Sequence, residues 1–347
     1  MVSGFLKKKL EEFYLKHPVR PPYRFQEREF GFGNEKKIDY RHFSFKNSRD
    51  LQNYFVSNAP LYASFSVAYY EFPGARPMPK KMWKGADLIF EFDSDVQKLT
   101  DEEALEKAKR DSFYLIEEFL MKDFGISKSE VEVAFSGNRG YHIYVRNDEV
   151  KKLNSLGRRE VSEYVMGIGL DVKRFISKKE VDPVGWGRRF RDAAIEYVKN
   201  SNRKAFKTDE DKQYAIDQIM KGNYDVVRGF ESDIQKQLEK MKANITSQID
   251  QGVTLDVSRL IRMPSTIHGG SSLLCDYVDL TKLESYNPFR DAVVFGSEEV
   301  KVKVLEDVEE FVLKEQSFGP LKKEQEIALP EFAALFLIAK KKAIENF

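Results

Sequence analysis

Residues 88–95 read LIFEFDSD, an apolar run that passes without a turn residue into acids at three alternate positions, Glu91, Asp93 and Asp95. In an extended strand alternate side chains share a face, so neighbouring members of this set lie about 6.5–7 Å apart at Cα. A chain carrying this run is committed to a sheet in which one strand ends in crowded like charges. Such charges repel one another unless a cation sits between them. The pattern points to a metal-dependent reaction and leaves open which two acids form the pair. The bland alternative is a strand that ends here with its acids facing water.

The flanking pattern extends the sheet. Residues 61–71 (LYASFSVAYYE) and 86–93 read as strands rich in aromatic and aliphatic side chains. Thr100 and Glu103 have capping-box spacing, Gly125 is placed to stop a helix, and Leu105, Ala108, Leu115, Ile116, Phe119 and Leu120 form a helical stripe between them. Strands at 131–135 and 141–146 follow, joined by a Ser-Gly-Asn-Arg-Gly turn. Strand, helix, strand, tight turn, strand is an α+β arrangement. From 151 to 248 helical patterns dominate, punctuated by Gly157, Gly185, Gly187, Gly222 and Gly229. This stretch reads as a helical insertion between 1–150 and 249–347, two parts of one catalytic domain. Beyond it the pattern predicts a short helix ending at Pro264, a strand near 273–278 and an Asn-Pro-Phe turn at 287–289. Strands near 292–295 and 300–305 come next. A final helix then starts at Leu329-Pro330, with Pro at its first position and Phe332, Leu335 and Ile338 on one face.

With 347 residues, 41% of them hydrophobic, the chain can bury a full core. Its formal charge of +1, from 57 basic and 56 acidic residues, excludes a global basic field, so contact with nucleic acid must rest on local patches. The single cysteine, Cys275, excludes an internal disulfide and a Cys-based zinc site. Lys7, Lys8 and Lys9 open an ordinary helix rather than a signal region, and the longest apolar run, 332–339, is too short to span a bilayer. The expectation is a soluble, intracellular (cytoplasmic) protein.

Three further segments carry chemistry. In Ser136-Gly-Asn-Arg-Gly-Tyr-His142, two glycines let a turn approach a ligand closely, Arg139 suits phosphate oxygens, Ser136 adds a hydroxyl, and His142 lies on the departing strand. The plain reading is a hairpin turn with a structural histidine. Asp250-Gln-Gly-Val-Thr-Leu-Asp256 is followed by Arg259, Arg262, Pro264, Ser265 and His268, which reads as a metal ligand followed by phosphate contacts. On the expected helix Arg259 and Arg262 would share a face. The alternative there is a pair of solvated arginines. Glu29-Phe-Gly-Phe32, with Tyr40 and Arg41 after it, reads by physics alone as packing.

Taken together, LIFEFDSD, SGNRGYH, the D-x-x-V-T segment leading to RLIRMPSTIH, EFGF with YR, and the closing YNPFRDAV resemble the small, catalytic subunit of archaeal and eukaryotic DNA primases. The resemblance runs over roughly residues 25–296. It implies a mixed-sheet primase catalytic (prim) domain with an RRM-like part and the helical insertion. It implies template-directed synthesis of short RNA primers on single-stranded DNA from NTPs by two-metal nucleotidyl transfer, with Mg²⁺ or Mn²⁺ as the two ions. The implied metal ligands are Glu91, Asp93 and Asp250, the last lying eighteen residues before His268. The implied triphosphate contacts are Ser136, Arg139, His142, Arg262 and His268, together with Arg41, twelve residues after Glu29. The implied partner is a primase large subunit in a heterodimer.

Three departures stand out. Glu91 occupies a position where the family has Asp; residues 96–112 contain no Cys or His, so no zinc module is expected; and Gly270 stands where some archaeal members have Lys. Two alternatives are a repair or plasmid-type primase-polymerase of the same superfamily and an inactive single-strand-binding protein using aromatic side chains as stacking platforms. The three acids beside phosphate-binding residues argue against the inactive protein.

Overall fold

The computed structural model describes residues 4–177, 184–246 and 249–346; the parts of the expected helical insertion at 178–183 and 247–248 lie outside the described residues. The chain divides into two compact units. One comprises Met1–Ser112, Ser129–Arg158 and Asp250–Phe347, and the other Phe113–Lys128 and Arg159–Ile249. The fold is α+β, and its strand pairings are antiparallel among the described residues.

The first unit carries two principal sheets. The first sheet has the order Tyr40–Phe43, Phe30–Gly33, Tyr62–Ser66, Leu260–Arg262. The second has the order Thr266–Ile267, Leu274–Val278, Val131–Phe135, Gly140–Val145, Leu88–Asp93. Phe65 of the first sheet stacks on Tyr144 of the second at 6.1 Å, and both are fully buried. The acid strand is an edge of the second sheet. Leu88, Ile89, Phe90 and Phe92 are buried, while Glu91 and Asp93 keep partial access to solvent.

The expected strand over 61–71 breaks into Tyr62–Ser66 and Ala68–Tyr70. Its ladder groups are claimed at the break. The fully buried Arg28 donates to the carbonyls of Ser66 and Val67 and pairs with Asp87 at 2.6 Å, and Val67 N–H goes to Arg259 O. A buried guanidinium needs that many acceptors, and the backbone supplies them.

The helix before the hairpin begins at Glu102, capped by Asp101, whose carboxylate accepts from Ala104 N–H; the Thr100 hydroxyl instead accepts from Val312 N–H. The expected helix running to Pro264 is not formed. A short helix spans Gln251–Leu255, and Leu260–Arg262 is a strand paired with Ser64–Ser66, which places Arg259 and Arg262 on no common helical face. An aliphatic run shortly before a proline favours extended backbone. Residues 292–295 form no strand; after the helical turn Pro288–Asp291, Ala292 accepts one bond, from Leu274 N–H.

Near the C-terminus Glu326–Pro330, Glu299–Val304 and Ala343–Glu345 form a three-stranded sheet, in that order. Pro330 closes a strand and caps the helix Glu331–Ala339, whose residues are buried on every face rather than on one.

The second unit is helical, with helices Gly185–Asn200, Asp209–Met220 and Glu231–Thr246. Within it Arg189 lies 3.9 Å over the Phe119 ring and pairs with Asp123 at 2.6 Å. Among the described residues no helix is long and apolar enough to cross a membrane.

Candidate active site

A cleft of about 260 Å³ in the first unit gathers Glu91, Asp93, Ser136, Arg139, His142, Arg262 and His268, all singled out from the sequence, with Lys37, Tyr62, Asn138 and Arg259. Each is delivered by a definite element. Glu91 and Asp93 sit on one face of Leu88–Asp93, which ends there; Ser94 turns inward and Asp95 lies beyond the strand in solvent. In the neighbouring strand His142 is the register partner of Glu91, and Gly140 that of Asp93.

The two carboxylates have different surroundings. His142 Nε2 donates to Glu91 Oε1 at 3.2 Å, and His142 Nδ1 is buried with no hydrogen-bond partner among the described residues. Burial pushes the Glu91 pKa up, but the hydrogen bond and charge of His142, with Arg259 and Lys37 behind it, bring it down to about 2. Asp93 pairs with Arg139 Nη2 at 3.0 Å. Burial and then the charge of Glu91 hold its pKa above the usual aspartate value despite Arg139. Like-charge crowding is thus present on the strand face where the sequence put it.

The Ser136–Gly140 turn is closed from both sides. Ser136 N–H donates to Gly140 O at 2.9 Å and Gly140 N–H donates to Ser136 Oγ at 3.2 Å. Both glycines are required. Gly137 has φ +81° and a Cβ there would meet His268 Cβ at 2.7 Å, while a Cβ on Gly140 would fall 1.8 Å from Phe92 O. Lys340, at the end of the final helix, reaches the back of the turn and donates to Asn138 Oδ1 at 3.0 Å.

Arg262 and His268 form the inner wall. Arg262 is buried, lies 5.0 Å from the Tyr62 ring centroid and donates to Ala63 O at 3.4 Å; among the described residues it has no carboxylate within 4.0 Å. A guanidinium remains charged even when buried, so this one lacks an anion. His268 Nδ1 accepts from Gly270 N–H at 3.1 Å, which puts the ring proton on Nε2. Burial, then Arg262, Lys340 and Lys37, hold its pKa far below the ordinary imidazole value, so it is a neutral donor.

Two expected residues are placed elsewhere. Arg41 does not line the cleft; Nε and Nη2 grip the buried Glu29 at 2.7 and 3.2 Å. Asp250 does not line it either. Its backbone N–H donates to Glu91 O at 3.2 Å, which seats it against the acid strand, while its Oδ1 caps the next helix through Gly252 N–H at 2.8 Å. Among the described residues no three His, Cys, Asp or Glu side chains converge closely enough to hold a metal. The donor chemistry still fits a hard divalent cation: oxygen ligands only, with crowded charge that a cation would relieve. Sequence reasoning missed Lys37 and Tyr62, for which no local pattern gave a signal.

Residues 92–280 match the model of a protein family described as DNA primase small subunit. The chain is 37% identical to a protein of Archaeoglobus fulgidus described as DNA primase small subunit PriS, over 97% of this chain and 96% of that one. Proteins with the same description from Methanothrix thermoacetophila and Methanosarcina barkeri are 34% and 33% identical, each covering 97% of this chain and 97% and 95% of their own lengths.

Proposed function

The chain belongs to the DNA primase small-subunit family, and from that premise we propose that its cleft carries out template-directed nucleotidyl transfer, making short RNA primers on single-stranded DNA from NTPs. One observation carries this reading: a carboxylate pair on a strand edge shares a cleft with a buried arginine that has no anion of its own among the described residues. That arrangement suits a substrate that is anionic and brings cations with it.

The family is metal-dependent. Here Glu91 and Asp93, joined by Asp250 once its carboxylate leaves the Gly252 N–H it caps, would hold two divalent ions, Mg²⁺ or Mn²⁺, which when bound would supply Lewis-acid activation of the primer 3′-hydroxyl and charge neutralisation at the leaving pyrophosphate. The chain's own residues do the rest. Arg262 gives its uncompensated charge to the triphosphate, and His268 donates from Nε2. Arg139 exchanges Asp93 for a phosphate, which frees the Asp93 carboxylate in the same movement. His142 holds Glu91 ionised and oriented. The N–H groups of the Ser136–Gly140 turn complete the cradle. Arg41 acts by fixing Glu29 under the first sheet, and any contact it makes with phosphate requires it to leave that pair. Single-stranded DNA is the template, a primase large subunit is the partner, and the setting is cytoplasmic.

Asp93→Ala keeps the fold, since this carboxylate lies at a strand end, and reduces incorporation of labelled NTP on single-stranded DNA by several orders of magnitude. Measured primer synthesis by a folded Asp93→Ala protein at the wild-type rate would refute the metal assignment.

A further inference from the structure

We propose that Lys37 is a nucleotide-binding residue, its ammonium engaging the phosphates of the incoming nucleoside triphosphate from the first-sheet wall of the cleft. The inference rests on the nucleotidyl-transfer reading above and adds a residue to it.

Lys37 belongs to the loop between Phe30–Gly33 and Tyr40–Phe43, and that loop is a built turn. The Asp39 carboxylate accepts the N–H groups of Asn34, Glu35 and Lys36 at 2.7, 2.9 and 3.2 Å, and Asp39 N–H returns to Phe32 O at 2.9 Å. Gly33 allows the close return, since a Cβ there would lie 1.9 Å from Lys36 O. Three backbone donors on one carboxylate fix the approach to Lys37, and Lys37 and Ile38 line the cleft while Lys36 does not.

Among the described residues no carboxylate lies within 4.0 Å of the Lys37 ammonium, whereas Arg139 is on Asp93 and Arg41 is on Glu29. The two cleft acids are engaged by His142 and Arg139, so Lys37 is not held there to neutralise them. Lys37 lines the same cleft as Glu91, Asp93 and His268. Lys37, Arg139, Arg259 and Arg262 face Glu91 and Asp93, four cations against two acids, an excess suited to a polyphosphate.

Phosphate charge reaches the cleft from two sources, a nucleoside triphosphate or a DNA backbone, and the test separates them. Binding of a fluorescent ATP analogue with Mg²⁺ is measured at equilibrium, with inorganic tripolyphosphate as competitor, and binding of a labelled oligothymidylate is measured separately. Lys37→Ala is expected to weaken both the analogue and tripolyphosphate by roughly tenfold and to leave oligothymidylate affinity unchanged. Lys37→Arg restores most of the loss, and Lys36→Ala binds as wild type. In primer extension the KM for NTP rises more than kcat falls. Wild-type analogue affinity in Lys37→Ala, alongside a loss in Arg139→Ala, overturns the proposal and leaves the primase reading intact. Loss of oligothymidylate binding alone in Lys37→Ala also overturns it, in favour of a DNA contact. A wild-type protein that binds no nucleotide overturns both.

Discussion

Glu91 and Asp93 share a strand face and titrate in opposite directions. Glu91 falls from 4.5 to about 2 in the folded chain, so it contributes stability that is fully present above pH 4.5 and is lost as pH falls through about 2. Glu91→Gln should therefore flatten the acid limb of a stability–pH profile between those values, by an amount of roughly 3 kcal/mol at most, read from urea midpoints. Asp93 is raised, so its contribution is present below the ordinary 3.8 and lost as pH rises through its folded value. Asp93→Asn should accordingly be slightly more stable than wild type at neutral pH. At this scale the sequence was informative about which acids share a face, because alternation is a local property. It was silent on their partners. His142 faces Glu91 only because two strands pair in one register, and Arg41 turns to Glu29 through contacts that spacing does not encode.

Among elements, the hairpin turn and its strand pairing were legible, since Gly, Asn and Gly between two alternating runs specify a close turn. Gly140 tests how tight that turn is. A methyl group there runs into the Phe92 carbonyl, a backbone atom that cannot step aside, so Gly140→Ala must open the pairing opposite Asp93. Gly140→Ala should cost on the order of 3 kcal/mol and lower incorporation with it. Gly125→Ala has φ +67° and open space around it, so it should cost about 1 kcal/mol; denaturant midpoints compare the two. Two of the misread elements were decided by tertiary hydrogen bonding. Over 61–71 Arg28 takes the carbonyls at the break, and in place of the helix expected to end at Pro264 a run that already favours extended backbone pairs with Ser64–Ser66. Strands of three residues, such as Phe311–Leu313 and Ala343–Glu345, are too short to leave a period in the sequence.

For the whole molecule, composition gave a bound rather than an answer. A net charge of +1 leaves grip on DNA to local patches, and the cleft concentrates its cations where composition cannot show them. The assembly of the cleft depends on one crossing of the chain. Arg262 ends a strand of the first sheet, and four residues later Thr266 begins a strand of the second, with Met263 N–H bonded to Ala63 O and His268 N–H to Leu273 O. Arg262 and His268 therefore hang from different sheets on one short strap. A triphosphate held by both acts as a brace between the sheets, and its binding free energy adds to the work of pulling them apart. Thermal unfolding should shift upward with the logarithm of NTP concentration, equivalent to about 2.7 kcal/mol at a hundredfold excess over Kd, while a nucleoside without phosphates should leave Tm where it was.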